Sequence, residues 1–268
     1  MLMKMNRNKE FWCFSGHSHE QGIFGQLQTC VDLGGEEVSA DKLSNVTRIA
    51  TDTGVYYIKQ YWSGGRFLRR FMGRSRAQGE WENLLYFASL GISTPRLLAY
   101  GRGAQTGETL EVLVTEEVHG SKDLATLARE TPARFAQRHW TMMVMRQVAD
   151  YTRRLHRDNF VHWDLKWRNI LVQGDAAPKV YFFDCPLGRR WYGGLQRRGA
   201  IKDLGCLDSV ARSVLTRTQR LRFLLLYRQE ERLTPGAKRQ IRQIEAFLTS
   251  KARKRAKRRN SKYRRGNS

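Results

Sequence analysis

Residues 162–172 read HWDLKWRNILV, and the turn FFDCP follows at 182–186. In order along the chain these stretches supply a carboxylate (Asp164), a cation (Lys166), an amide (Asn169) and a second carboxylate (Asp184). Phosphoryl transfer asks for this set: a carboxylate to orient the attacking hydroxyl, a cation near the moving phosphoryl, and an amide and an acid to hold Mg2+. The apolar residues after Asn169 read as a strand, VYFF at 180–183 as a second strand, and GDAAP at 174–178 as the tight turn joining them. Such a hairpin delivers Asp184 back toward Asn169. Asp164 and Lys166 are therefore the candidate catalytic residues, and Asn169 and Asp184 the candidate metal ligands. The competing reading, a buried Asp and Asn that cap local loops, leaves their fixed order unexplained.

The step of five from Asp164 to Asn169 matches the H-x-D-x-x-x-x-N loop of eukaryotic-like kinases. That loop makes demands upstream. A lysine on a strand must hold the nucleotide phosphates, and VYYIK at 55–59 provides Lys59. A helix must offer a glutamate to that lysine, and AQGEWENLLYFASL at 77–90 contains Glu80 and Glu82. Glu80 is preferred, because it lies four residues before Leu84 and so near one face with it. A connector must line the nucleotide. LEVLVTEEV at 110–118 reads as a strand ending in acids, where backbone groups of Glu116 and Val118 are positioned to pair with an adenine edge. The expected cofactors are ATP and Mg2+. A glycine-rich phosphate loop is missing; DKLSNVTRIA at 41–50 stands in its place, and Ser44, Asn45 and Thr47 are expected to cover phosphates through backbone N–H groups.

The fold class that follows is α+β, a bilobal protein-kinase-like fold with a small β-rich N-lobe and a helical C-lobe. The expected division is 1–118 for the N-terminal lobe, with the first 25 or so residues peripheral, 119–250 for the catalytic lobe, and 251–268 for a basic tail, disordered or a frayed helix when free. In the C-lobe, Met145, Val148, Ala149, Thr152 and Leu155 form a buried stripe on a helix over 141–157, and further helices are expected at 201–226 and 238–248. Asp203, at the expected start of a helix, is assigned a structural role, capping that helix or bracing the catalytic-loop backbone. Only a short segment separates Asp184 from KDLG at 202–205, with no A-P-E motif, and Trp163 stands where many protein-directed kinases carry arginine. A small or glycan-borne hydroxyl suits such a site better than a protein loop.

Charge narrows the partners. The 268 residues carry a formal net charge of +23, concentrated in RFLRRFMGRSR at 66–76, in 189–198 and in KARKRAKRRNSKYRR at 251–265. Like charges this dense seek a polyanion: an anionic membrane leaflet, a phosphorylated glycolipid or nucleic acid. Aromatics are not interleaved with the tail beyond Tyr263, so base stacking is poor and no specific nucleic acid is expected. No apolar run approaches the roughly 20 residues of a membrane span, and the N-terminus lacks a signal-peptide core. Cys13, Cys30, Cys185 and Cys206 lie far apart and read as reduced cytosolic thiols. Cys13, His17 and His19 match no standard zinc spacing.

Taken together, YYIKQYW around Lys59, GEWENLLYFASLGISTPRLLAYG, VTEEV, HWDLKWRNILV, FFDCP and KDLGCLD resemble the bacterial lipopolysaccharide kinases, the Kdo/heptose (WaaP/InaA-type) group of the protein-kinase-like superfamily. The resemblance runs from about Leu43 to Tyr227. It implies an ATP-dependent kinase that phosphorylates a sugar hydroxyl, heptose or Kdo, of the lipopolysaccharide core, as a peripheral protein on the cytoplasmic face of the inner membrane. The implied partners are the lipopolysaccharide core or lipid A-linked acceptor and, through the basic patches, the anionic membrane surface. The implied roles are Lys59 on nucleotide phosphates, Glu80 bracing it, Asp164 as catalytic base, Lys166 neutralising the phosphoryl, and Asn169 and Asp184 on magnesium. Cys185-Pro186 after the metal aspartate departs from the family pattern and bears on that segment's mobility. Two other readings are an RNA-binding RIO-like atypical kinase or ATPase, which steep salt dependence of RNA affinity would reveal, and a non-catalytic pseudokinase scaffold.

Overall fold

Side chains alternate across a strand, and the stretch GVYYIKQYW shows what that does here. Strand β4 (Gly54–Trp62) sends Tyr56 and Ile58 to one face and Lys59 and Tyr61 to the other, with strands on both sides of it, so both faces need a cover. In this computed structural model residues 10–41, 44–62, 74–105 and 108–266 are described, with backbone only at 41 and 258–266. Two units are distinguished, Met1–Gly120 with Phe182–Leu187, and Ser121–Tyr181 with Gly188–Ser268.

The first unit runs β1 (Phe11–Phe14), α1 (Gln21–Phe24), α2 (Leu27–Asp32), β2 (Glu36–Asp41), β3 (Ser44–Thr51), β4, α3 (Arg76–Ser89), β5 (Leu97–Gln105) and β6 (Glu108–Glu116). The six strands form one antiparallel sheet in the order β1-β5-β6-β4-β3-β2. Tyr56 and Ile58 pack with Phe24, Cys30, Ile49, Leu98, Leu110, Val112 and Val114. Tyr61 packs on the other face with Ala77 of α3, Tyr100 and Leu113, and Trp81 leans on them. Full burial of a side chain such as Phe24 is worth about 1.5–3 kcal/mol.

Two expectations change here. Of the first 25 residues, those described, from residue 10 on, are not peripheral: β1 pairs residue for residue with β5 from Phe11↔Arg102 to Phe14↔Ala99, and Phe24 is wholly buried. The physical reason is the second apolar sheet face, which this segment covers. Nor do Ser44, Asn45 and Thr47 form a phosphate-covering loop. They lie in β3, and Ser44–Arg48 pair with β2 on one side and β4 on the other, so their backbone is engaged in ladders. The hairpin tip at 42–43 lies outside the described residues, as does most of the basic run 66–76.

The second unit contains β7 (Ser121–Asp123), α4 (Leu124–Glu130), α5 (Arg138–Arg157), β8 (Phe160–Val161), β9 (Ile170–Gln173), β10 (Lys179–Phe182), β11 (Arg189–Arg190), α6 (Gly193–Val214), α7 (Arg217–Arg228) and α8 (Pro235–Gly266). Asp123 caps α4, its carboxylate accepting from the N–H groups of Ala125 and Thr126. The stripe expected on α5 is buried, from Met145 through Leu155. β10, β9 and β7 form a small sheet, and β11 pairs with β8. Leu204 of α6, Leu224 of α7 and Ile244 of α8 form a shared apolar cluster. The helices also enclose a mostly apolar cavity of about 480 Å3, lined by Val148, Leu207 and Leu221 among others.

Two further points concern helix limits. α6 begins at Gly193, well before the start at Ile201 expected from sequence; its opening glycines conceal the start. The tail, read as disordered or a frayed helix when free, continues α8 as helix to Gly266, in keeping with the high helix propensity of Lys, Arg and Ala.

Candidate active site

In the first unit, strand alternation puts Lys59 on the face covered by α3. Its Nζ donates to Glu80 Oε2 at 2.9 Å and to Asp184 Oδ1 at 2.7 Å. Of the two glutamates offered by the sequence, Glu80 is the one that reaches Lys59; Glu82 pairs with Arg74 at 2.9 Å. Tyr61, two residues along the same face, donates its hydroxyl to Glu80 Oε2 at 2.6 Å, and Lys59 Nζ lies 5.3 Å from its ring centroid. Burial alone would lower the Lys59 pKa. The negative charges of Glu80 and of Asp184, which also accepts a hydrogen bond from it, outweigh that effect and hold the group well above the ordinary lysine value. Lys59 is thus a permanent cation. Burial and the neighbouring Glu80 raise Tyr61, which stays a neutral donor.

The segment carrying Asp184 is fastened from α3. Asn83 Nδ2 donates to the carbonyl of Cys185 at 2.6 Å, and Cys185 is fully buried. The N–H of Phe182 donates to Ser93 O at 2.9 Å. Gly79 allows the closest approach, since a Cβ there would stand 2.3 Å from the Pro186 carbonyl oxygen. Asp184 itself has φ 54°, a left-handed conformation unusual for a residue with a side chain. Such a conformation costs on the order of 1–3 kcal/mol and persists only where neighbours impose it. The Cys185-Pro186 departure therefore accompanies a pinned turn.

In the second unit, the loop after β8 gathers the other groups. Asp164 Oδ1 contacts Lys166 Nζ, and Asp164 Oδ2 lies 3.4 Å from Arg168. Asn169 is buried, and its Nδ2 donates to the Asp164 carbonyl at 2.9 Å, which leaves Oδ1 as the side-chain acceptor. Asp203, mid-way along α6 and wholly buried, accepts the His162 N–H on Oδ2 at 2.8 Å, and His156 Nε2 lies 3.4 Å from the same oxygen. His156 Nδ1 is 2.9 Å from Tyr227 Oη. Of the two structural roles considered for Asp203, bracing the catalytic-loop backbone is the one its geometry matches. Trp163, next to Asp164, has φ 67°.

The donor set fits magnesium. Asn169 Oδ1 and the Asp184 carboxylate are hard oxygen donors, and Mg2+ commonly takes only one or two carboxylates besides substrate phosphates and waters. Among the described residues no group of three His, Cys, Asp or Glu forms a metal cage. The connector is more constrained than expected. The Glu116 N–H donates to Arg96 O at 2.9 Å and its carboxylate pairs with Arg96 Nε at 2.7 Å, so the carbonyl is the backbone group it retains for an adenine edge. Val118 follows the end of β6. Sequence reading missed Tyr61, Asn83 and Arg168. Tyr61 had a usable signal, its place two residues after Lys59.

No curated protein sequence matches the chain. Among solved structures, one of WaaP in complex with acyl carrier protein matches with a TM-score of 0.66 at 21% identity, over 91% of this chain and 98% of that one; at that identity the likeness bears on fold. The profile of the Lipopolysaccharide kinase (Kdo/WaaP) family matches residues 41–227. That span holds Lys59, Glu80, Asp164, Asn169 and Asp184 and well over half the sequence, and the chain belongs to the lipopolysaccharide kinase (Kdo/WaaP) family.

Proposed function

We propose that this kinase transfers the γ-phosphoryl of ATP to a sugar hydroxyl, on heptose or Kdo, of the lipopolysaccharide core at the cytoplasmic face of the inner membrane. The observation that carries the reading is the Lys59–Glu80–Asp184 triad, 2.9 and 2.7 Å from the ammonium, in a chain whose Asp164, Lys166 and Asn169 share one loop. A buried, fully charged lysine held by two carboxylates is suited to nucleotide phosphates. Glu80 and Tyr61 fix its position. The Glu116 carbonyl and the Val118 backbone would meet the adenine edge.

Asn169 and Asp184 would hold magnesium, which would offset the negative charge of the nucleotide phosphates. Asp164 accepts a hydrogen bond from the acceptor hydroxyl and takes its proton late in transfer, so it orients more than it deprotonates. Lys166, in contact with Asp164, balances charge as the phosphoryl leaves. The WaaP structure makes an acyl carrier protein a candidate partner for this chain too, and the apolar cavity of about 480 Å3 has the chemistry to receive an acyl chain. Co-purification of an acylated carrier with the chain tests that pairing.

Asp164→Ala tests the catalytic assignment. Turnover falls by several orders of magnitude while nucleotide affinity stays near the parent value. Transfer to acceptor at the parent rate overturns the role given to Asp164.

A further inference from the structure

Beside the catalytic loop lies a group of aromatic and basic side chains that the transfer chemistry leaves unused. β11 pairs with β8, Arg189↔Val161 and Arg190↔Phe160, and the Trp191 N–H donates to Asn159 O at 2.8 Å. The ladder fastens residues 189–191 to the strand that leads directly into His162 and Asp164. Trp191 meets Trp163, the neighbour of Asp164, edge to face with ring centroids 5.8 Å apart. The next residue, Tyr192, is 69% exposed.

Two cations rest on these rings. Lys202 Nζ lies 4.8 Å from the Trp163 ring centroid, and the Arg189 guanidinium 5.8 Å from that of Trp191. Among the described residues neither forms an ion pair with a carboxylate, whereas the adjacent Arg190 is paired with Asp158 at 2.5 Å. A cation parked on an aromatic face is held in position yet keeps most of its charge for an incoming anion. The Trp191 indole Nε1 is buried without a hydrogen-bond acceptor among the described residues, so Trp191 is held by packing and by its backbone.

We propose that Tyr192, Trp191 and Trp163, with Arg189 and Lys202, form the acceptor subsite, which takes a sugar bearing an anionic substituent, phosphate or carboxylate. The aromatic side chains offer apolar surface to a pyranose ring, and the two cations engage the substituent. This rests on the sugar-kinase reading and adds to it the residues that select the acceptor. A bare polyol, lacking the anion, binds weakly here.

The test uses the full chain, Mg-ATP and core oligosaccharide in two forms, native and enzymatically dephosphorylated. Tyr192→Ala raises the acceptor KM about tenfold or more with the ATP KM unchanged, and Tyr192→Phe, which keeps the ring, restores it. Arg189→Gln raises KM for the native acceptor and abolishes the preference over the dephosphorylated form that the parent protein displays. A phosphate preference retained in Arg189→Gln and an acceptor KM unmoved in Tyr192→Ala, with transfer intact, overturn the subsite and leave the kinase reading standing. No transfer by the parent protein to either glycan overturns both.

Discussion

Lys59 has one strong contact on each side, Glu80 from a helix and Asp184 from a turn, and the turn is where a single atom decides most. Gly79 faces Pro186 so closely that a methyl group there would sit 2.3 Å from the carbonyl oxygen. Backbone must move to admit it, at a cost of about 1–3 kcal/mol. Gly79→Ala is therefore expected to lower the melting temperature and to raise the KM for Mg-ATP, because the residues displaced adjoin Asp184; an unchanged KM in the folded variant would contradict the link from Gly79 to the nucleotide site. At this scale the sequence is readable where a contact follows a period. Lys59 and Glu80 were found by strand and helix spacing. Asn83 and Gly79 were not, since both act on a backbone carbonyl about a hundred positions away, and such a partner leaves no pattern in the chain. Arg168 was passed over although it approaches an aspartate only four residues back, because that stretch is a loop and a short turn rather than a helix whose spacing would pair them.

Among the elements, the N-terminal segment departs furthest from expectation. FWCF is a short strand with no turn signal before it; it adds an edge to a sheet whose other strands come later in the chain, and α1 and α2 after it cover a face of that sheet. Glu20 ties it down. It is wholly buried, accepts from Tyr56 Oη at 2.7 Å and from Arg96 Nη1 at 3.0 Å, and receives the His17 N–H at 2.7 Å. Burial would raise its pKa, but the hydrogen bonds from Arg96, Tyr56 and His17 prevail and bring it from 4.5 to about 2. A carboxylate lowered on folding adds stability that is complete above its unfolded value of 4.5 and is lost as the pH falls toward about 2. Glu20→Gln should thus flatten the fall in stability across that window, as read by urea midpoints at stepped pH; a parallel acid slope in the two proteins would assign the acid response elsewhere. The β9–β10 hairpin, by contrast, was legible in full, because apolar strands and a Gly-Pro bounded turn are local signals. The start of α6 was not, because two glycines open it.

For the whole molecule, charge is the dominant property. Residues 251–268 contribute ten lysines and arginines and no acid to a chain of net charge +23, and the backbone carries them on a continuing helix to Gly266. No helix among the described residues is long and apolar enough to cross a membrane. Each basic residue near an anionic leaflet contributes about 1 kcal/mol, so removal of residues 251–268 is expected to weaken sedimentation with anionic vesicles steeply while phosphoryl transfer to a soluble acceptor persists. Sedimentation equal to that of the full chain would place membrane attraction in another patch. The family and the α+β plan follow from motifs that chemistry constrains, and they were legible; the identity of the acceptor rests on surface side chains that no spacing rule encodes. The most direct measurement is mass spectrometry of lipopolysaccharide core from cells that make the native chain or Asp164→Ala. The account predicts that the variant's core lacks one phosphate, mapped to a single heptose or Kdo; cores of identical phosphate content from the two strains would contradict it.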